Sequence, residues 1–261
     1  MFSLAFALEG TLVVTSDLER TAFRRLCAEF MTPAAMRIVG VDVDKAFTEH
    51  RSAFEDGGEA LNRVIAGAIQ TATGVAVSDP CSVAARYRHI AREVAAESVA
   101  PLPGVQPLLD ELRRLAVPQA ILANGLSGAE SRKAQSLGFE GPVLVSEDIG
   151  AKKPDPRMFA ALAEALMLPA EAIWYVGSNL DVDINPAYDL GFTVVWVAPE
   201  TEHELQRFDS RFHRVHRIDE VLELIKEPYT RAMLGLRYIM RSALAWRPGH
   251  FIPGVEPDTS N

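Results

Sequence analysis

Short apolar runs alternate with helical patterns over much of the chain. Five runs read as strands: Leu4–Leu8, Gln119–Ala123, Val143–Val145, Ile173–Val176 and Thr193–Val197. Between them, apolar residues recur at helical spacing, as in Gln106–Leu115, where four leucines share one face. This alternation is typical of an α/β fold with a largely parallel sheet and helices on both faces.

Residues 16–98 interrupt the alternation. Ser16 and Glu19 have the spacing of a capping box, which predicts a helix from there to about Phe30. Further helical patterns cover Val43–Ala53, Ala60–Ala72 and Ser82–Glu97. We therefore predict an all-helical domain inserted after the first strand. The predicted division is a core of residues 1–15 and 99–227, the helical insertion 16–98, and a tail 228–261.

The tail has its own pattern. Tyr229–Trp246 predicts a helix with one apolar face, and its charges are arginines: Arg231, Arg237 and Arg241, with Arg247 just after it. Such a face predicts packing on its own domain, on a second copy or on a protein partner. A basic amphipathic helix also suits an anionic membrane, but with so few arginines on an acidic protein we expect no membrane binding.

Composition narrows the function classes. The net charge of −9 disfavours nucleic-acid binding, which needs a basic surface. Glu9 interrupts the first apolar run, which has no basic flank, so we expect no signal peptide. No apolar stretch approaches the roughly 20 residues that span a bilayer. Cys27 and Cys81 are isolated and predict neither a disulfide framework nor a zinc site. We therefore expect a cytoplasmic protein.

Four segments at predicted strand ends or before helices carry candidate chemistry. They are Phe6-Ala7-Leu8-Glu9-Gly10-Thr11-Leu12, Leu122-Ala123-Asn124-Gly125, Lys152-Lys153-Pro154-Asp155-Pro156 and Val176-Gly177-Ser178-Asn179-Leu180-Asp181-Val182-Asp183. Their order and spacing over residues 3–225 resemble the haloacid dehalogenase superfamily, especially phosphatase-like members with a helical cap. The resemblance implies a Rossmann-like core, with residues 16–98 as the cap.

The resemblance also implies roles for individual positions. In that family the first segment reads Asp-x-Asp-Gly-Thr, and its first aspartate attacks the substrate to form an aspartyl ester, which splits one difficult displacement into two. Here that nucleophile position is Ala7, and a methyl group cannot attack. The second aspartate, an acid–base group in phosphatases, corresponds to Glu9. The family's lysine corresponds to Lys153.

Two further departures affect the binding positions. The family's Ser/Thr that binds a phosphoryl oxygen is replaced by Ala123, and its first metal-binding aspartate in the fourth segment is replaced by Ser178. Asp183 matches the later acidic position, and Asp181 lies nearby. Since magnesium prefers several hard oxygen ligands, including carboxylates, we expect either no cofactor or weakly bound Mg²⁺ at Asp183 and Asp181.

These departures predict a pseudoenzyme with a binding, regulatory or assembly role. The predicted ligand is an anionic or phosphorylated small molecule, and the predicted contacts are Gly10, Asn124, Gly125, Lys153 and Ser178. The predicted assembly element is 228–261, for a second copy or a protein partner. The alternative is an active hydrolase in which Glu9, Asp181 or Asp183 activates water without an aspartyl intermediate.

Structural interpretations remain open for several of these residues. Ser178 and Asn179 also suit a turn or a helix cap. Asn185-Pro186 resembles the start of a helix, which leaves Asp183 in the preceding loop. Lys153 is either an exposed loop lysine or an inward one that pairs with Glu9 or Asp183 or holds an anion. His213 and His216 are predicted to lie on the surface.

Overall fold

The computed structural model describes residues 2–15, 17–32, 34–35, 42–198 and 210–230. Its strands are β1 (Ser3–Phe6), β2 (Val13–Val14), β3 (Ala100–Pro101), β4 (Gln119–Ala123), β5 (Val143–Val145), β6 (Ile173–Gly177), β7 (Thr193–Val197) and β8 (Phe212–Val215). A six-stranded sheet has the order β5-β4-β1-β6-β7-β8, and every neighbouring pair in it is parallel. The predicted α/β class is confirmed.

The helices alternate with these strands and also fill the segment between β2 and β3. They are α1 (Leu18–Phe30), α2 (Val43–Glu49), α3 (Arg51–Asp56), α4 (Gly58–Thr73), α5 (Pro80–Ser98), α6 (Val105–Arg114), α7 (Ser127–Ser136), α8 (Ser146–Ile149), α9 (Pro156–Leu166), α10 (Asn185–Asp189) and α11 (221–230). Helix starts follow local chemistry: Asp79 caps α5 through the Ser82 amide, and Asp155 caps α9 through the Arg157 amide.

Apolar side chains form a layer on each face of the six-stranded sheet. Leu4 and Phe6 of β1 enter one cluster, whereas Ala5 and Ala7 enter the other. This follows from strand geometry, since successive side chains point to opposite faces. Because helices cover both faces, the central strands are apolar throughout rather than alternating.

The helices α1 to α5 surround a third apolar cluster, in which Phe23, Phe54 and Tyr87 are fully buried. Leu126 and Ala129, at the start of α7, belong to the same cluster, so this helical layer packs directly on the sheet-bearing part. The antiparallel pair of β2 and β3 lies where the chain enters and leaves the layer. The boundaries predicted for the helical cap stay a prediction.

The structure tests the predicted cap of α1, the predicted boundary at 227/228 and the predicted C-terminal helix only in part. Ser16, the proposed cap of α1, lies outside the described residues, and Asp17 makes no side-chain capping bond. The helix α11 crosses the predicted boundary at 227/228, and the rest of the predicted helix Tyr229–Trp246 lies outside the described residues. In the described part, no helix is both long and apolar enough to cross a bilayer.

His216 is exposed as predicted, whereas His213 is half-buried rather than fully on the surface. His213 lies on β8, where its ring stacks on Trp174 with 4.9 Å between ring centroids. Its Nε2 atom is buried without a hydrogen-bond partner in the described residues. Burial lowers the pKa of His213, which disfavours its charged form.

Candidate active site

The candidate site lies at the carboxyl edge of the sheet, where β1 has β4 on one side and β6 on the other. In parallel α/β sheets, ligands bind outside the carboxyl ends of the strands at such a reversal of strand order. Two neighbouring cavities open here. The larger has a volume of about 590 Å³ and lies between the sheet edge and helices α1 to α3, and the smaller has about 180 Å³.

Ala7 lies at the end of β1 with only 1% of its surface exposed. Its amide donates to the Val176 carbonyl at 2.8 Å, which continues the β1–β6 ladder. Its methyl group belongs to the apolar cluster that also contains Tyr175. The first position of the segment therefore offers no oxygen, and its surroundings are apolar.

Lys153 points inward, so the exposed-loop interpretation is wrong. Its ammonium lies 2.7 Å from Asp183 Oδ1 and 3.3 Å from the Tyr175 hydroxyl. The Tyr175 hydroxyl donates to the same Asp183 oxygen at 3.3 Å, and the Asn179 amide donates to Asp183 Oδ2 at 3.3 Å. Burial and the Asp183 charge raise the pKa of Tyr175. Of the two predicted partners, Lys153 therefore pairs with Asp183.

Asn124 positions Lys153. Its side-chain amide donates to the Lys153 carbonyl at 3.0 Å, and its side-chain oxygen accepts from the Lys153 amide at 2.8 Å. Both polar atoms of the Asn124 side chain are thus engaged with the Lys153 backbone. Asn124 lines both cavities, and direct contact with a ligand stays a prediction.

The two glycines of the predicted site permit close approaches. Gly10 has φ of +72°, and a Cβ atom there would lie 3.0 Å from Ser178 Oγ. Gly125 has φ of +144°, and a Cβ atom would lie 2.8 Å from a carboxylate oxygen of Glu130. Gly125 lines the larger cavity, whereas Gly10 lines neither cavity. A side chain at either position would be strained.

Ser178 and Asp181 do not line the cavities. The Ser178 hydroxyl accepts from the Thr11 hydroxyl at 3.2 Å, and the Ser178 carbonyl accepts from the Trp196 indole at 3.1 Å. Asp181 is exposed. Asn179 is the helix cap, because its side chain accepts from the amides of Asp181 and Val182. The capping interpretation is confirmed for Asn179.

The helix α10 begins at Asn185, as predicted, but its cap position is Ile184, and the loop position predicted for Asp183 is wrong. A π-helical turn, Leu180–Ile184, begins after Asn179 and runs into α10. Asn179 has satisfied the first free amides, so the chain is already helical when it reaches Asn185. This turn places the Asp183 carboxylate under Lys153.

Glu9 is held at both carboxylate oxygens. The Thr15 amide donates to Oε1 at 2.7 Å, and the Thr15 hydroxyl donates to Oε2 at 2.9 Å. The Lys133 ammonium also lies 3.1 Å from Oε2. The Glu9 side chain is 44% exposed, so it is accessible to water while its orientation is fixed.

The magnesium ion that the family resemblance implies does not fit these residues. Position 7 offers a buried methyl group, and the Ser178 hydroxyl is bonded to Thr11. The Asp183 carboxylate is already neutralised by Lys153 at 2.7 Å. Among the described residues, no group of three Asp, Glu, His or Cys side chains could hold a metal ion. The donor set that Mg²⁺ requires is thus incomplete.

Sequence reasoning missed the residues that helix α7 brings to the cavities. Glu130 and Lys133 line the larger cavity and are bonded to each other at 2.8 Å. Their three-residue spacing places them on one face of α7. The sequence did contain one indication of this. The segment Ser127–Ser136 has few apolar residues, so a helix there that packs against two neighbours has to bury polar side chains.

The comparisons with known proteins agree with the fold. The haloacid dehalogenase-like hydrolase family matches residues 4–191. The chain belongs to this family. Among solved structures, a 2-haloacid dehalogenase from Pseudomonas syringae superposes with a TM-score of 0.63 at 21% identity over 87% of this chain and 99% of that one. A phosphatase of the family from Thermococcus onnurineus gives 0.60 at 18% identity, covering 87% and 98% of the two chains. These two likenesses show the fold.

Curated relatives are similar over a part of the family fold. A glyceraldehyde 3-phosphate phosphatase from Methanopyrus kandleri is 30% identical over 49% of this chain and 57% of its own length. A phosphoserine phosphatase from Thermus thermophilus is 33% identical over 42% of this chain and 48% of its own length. The chain thus spans about half the length of the curated relatives it matches.

Proposed function

We propose that this chain uses the haloacid dehalogenase fold to bind a small anionic or phosphorylated molecule without forming an aspartyl ester. The observation that carries the proposal is the buried methyl group of Ala7 at the family's nucleophile position. A covalent mechanism needs an attacking oxygen at that place. The binding would serve a regulatory or assembly role.

The pairing of Lys153 supports this proposal. The family resemblance implies that this lysine usually lies beside a carboxylate at position 7, which is absent here. Here the Asp183 carboxylate neutralises it at 2.7 Å, and both side chains are almost fully buried. The lysine therefore has a stable environment without the nucleophile. The cavity of about 590 Å³ is retained, and a volume of this size suits a small ligand.

The anionic character of the ligand is proposed from the relatives. Two proteins that the chain resembles are named for glyceraldehyde 3-phosphate and for phosphoserine. Both named substrates carry a phosphate group. The larger cavity has five cationic side chains in its lining, Arg20, Arg51, Lys133, Lys152 and Lys153, which could contact such a group, beside six carboxylates.

Binding and turnover separate this proposal from its rival. Purified protein is titrated with ethyl phosphate, and phosphate release is measured with a panel of phosphorylated metabolites. We expect saturable binding and no release. Robust release that disappears in Glu9→Gln or in a folded Asp183→Ala variant would overturn the proposal.

An active hydrolase with different chemistry is the second candidate, and the similarity to named phosphatases favours it. Glu9 would then take the proton from a water molecule that attacks phosphorus. The phosphorus–oxygen bond to the alcohol would break, and the leaving alcohol oxygen would receive a proton from Glu9 or from solvent. The fixed, half-exposed carboxylate of Glu9 suits this role. Under this candidate Glu9→Gln abolishes turnover. If turnover is unchanged, Glu9 is not the base, and Asp181→Asn tests the exposed alternative.

An assembly role for the tail is a separate proposal, and residues 231–261 lie outside the described residues. Since α11 runs to residue 230, a chain ending there keeps the described helix intact. Light scattering of the full chain and of this truncated chain compares their masses. A lower mass for the truncated chain supports the role, and equal masses with equal partner binding contradict it.

A further inference from the structure

Three carboxylates share one ammonium group in the cleft. Lys133 Nζ lies 2.8 Å from Glu130 Oε1 and 3.1 Å from Glu9 Oε2. Glu19, in the first turn of α1, lines the same cavity and interacts with Lys133 only through space. The side chains of Lys133 and Glu130 are each only 3% exposed. Negative charge therefore exceeds positive charge around Lys133.

The titration behaviour of the carboxylates follows from this excess. Burial raises the pKa of Glu130, and the nearby charges of Glu19 and Glu9 raise it further against the opposing effect of Lys133. Burial likewise raises the pKa of Glu19, with added repulsion from Glu55 and Glu9. The negative charge of Glu9 therefore makes the ionised states of both Glu19 and Glu130 more costly. A second cation among them would relieve this repulsion.

Arg20, the residue after Glu19, carries a positive charge that has no ion-pair partner among the described residues. It lines the cavity and lies over the Phe47 ring, with its guanidinium carbon 5.6 Å from the ring centroid. Its Nε atom is buried and has no hydrogen-bond partner in the part of the chain that the structure describes. The nearby Asp44 is bound by Arg24 at 2.6 Å, so it acts on Arg20 only through space.

The other cations of the cavity each have a carboxylate partner. Arg51 pairs with Glu55 and Lys152 with Asp56. Lys153 pairs with Asp183. Within the described residues, Arg20 is therefore the cavity cation that makes no ion pair of its own, and it lines the same cavity as Glu9, Glu19 and Glu130.

We propose that the cleft binds a small zwitterion, with its ammonium group among Glu9, Glu19 and Glu130 and its phosphate or carboxylate group at Arg20. This rests on the proposed binding function and names the ligand class. An ammonium group has three donors and can bond several carboxylates at once. A simple anion would face the excess carboxylates, and a simple cation would leave Arg20 unpaired.

Three matched probes test the two halves of this ligand class. O-phosphoethanolamine carries both charges, ethyl phosphate carries the anion alone, and ethylamine carries the cation alone. Each is titrated into the full chain by calorimetry or by NMR chemical shifts. We expect O-phosphoethanolamine to bind at least about 10-fold more tightly than either half, which corresponds to about 1.4 kcal/mol.

Two substitutions assign the halves to residues. Glu19→Gln is expected to remove most of the advantage of O-phosphoethanolamine over ethyl phosphate while ethyl phosphate binds at least as well as before. Arg20→Gln is expected to remove most of the advantage of O-phosphoethanolamine over ethylamine. Glu164→Gln, on an exposed position of α9, is the control and should change nothing. Circular dichroism confirms that each variant is folded.

The outcomes distinguish this inference from the proposed function. If ethyl phosphate binds as tightly as O-phosphoethanolamine, or if Glu19→Gln leaves their ratio unchanged, the zwitterion inference fails and anion binding survives. If ethylamine binds as tightly as O-phosphoethanolamine, the anionic group of the ligand contributes nothing, and both the zwitterion inference and the proposed anion binding fail. If none of the three probes binds, both proposals are overturned.

Discussion

Lys153 and Asp183 form a buried ion pair, with 2.7 Å between Nζ and Oδ1 and about 95% of each side chain removed from solvent. The lysine comes from the segment before α9, and the aspartate comes from the turn after β6. The pair therefore joins two segments that are 30 residues apart in sequence. Because Ala7 carries no charge at the end of β1, Asp183 is the residue that compensates the charge of Lys153.

Replacing Lys153 by methionine should strongly destabilise the fold. The apolar stem is kept, but the Asp183 charge stays buried without its cation, and breaking a buried pair in this way costs about 3–5 kcal/mol. Denaturant unfolding measures the loss. Lys152→Met is the matched control: its pair with Asp56 is largely exposed, so it should lose at most about 1 kcal/mol. Equal losses would contradict the role given to the buried pair.

Gly177→Ala should displace Asp183. A Cβ atom at Gly177 would lie 2.6 Å from the Asp183 Cβ atom, so the aspartate has to move away from Lys153. We expect a loss of about 1–3 kcal/mol, as for other overpacked sites. Gly67→Ala is the control, since Gly67 lies within α4 with nothing near its added Cβ. That variant should gain about 0.5–1 kcal/mol. A Gly177→Ala variant of parental stability would rule out the close approach.

Glu19→Gln should stabilise the protein at neutral pH. Because burial raises the pKa of Glu19 above its ordinary 4.5, the folded state holds this proton more tightly than the unfolded chain does. The parent therefore loses stability as the pH rises from 4.5 through the folded-state pKa, and the glutamine variant avoids that loss.

Thermal unfolding of both proteins across this pH range measures the effect. The difference in Tm should be near zero below pH 4.5 and should grow as the pH rises above it. Glu164→Gln, at an exposed site, should show no such trend. A constant difference at every pH would show that the Glu19 pKa is the same in the folded and unfolded chains.

The strands with mainly apolar residues were predicted correctly from the sequence. The ranges Gln119–Ala123, Val143–Val145 and Thr193–Val197 agree with β4, β5 and β7. The edge strand β8 was missed because its sequence, Phe-His-Arg-Val, has too few apolar residues to read as a buried strand. Its pairing with β7 depends on a neighbour distant in sequence, which local patterns do not contain.

Within the site, strand-end positions were predictable and partner choice was not. Spacing along the chain placed Glu9, Asn124 and Asp183 at one edge of the sheet, and the larger or smaller cavity has all three in its lining. The pairing of Glu9 with Lys133 depends on how α7 packs on α5. The sequence predicted Tyr175, which lies on the same face as Ala5 and Ala7, as a strand residue but not the contact of its hydroxyl with Lys153.

The most direct test looks for covalent chemistry in the parent protein. Intact-mass spectrometry under acid quench, during incubation with phosphorylated substrates, detects a phosphoryl group bound to the chain, and phosphate release is followed in parallel with the parent and Glu9→Gln proteins. The account predicts no adduct, and no release that differs between the two proteins. A phosphoryl adduct on a side chain of the cleft, formed during turnover that the parent performs, would contradict it.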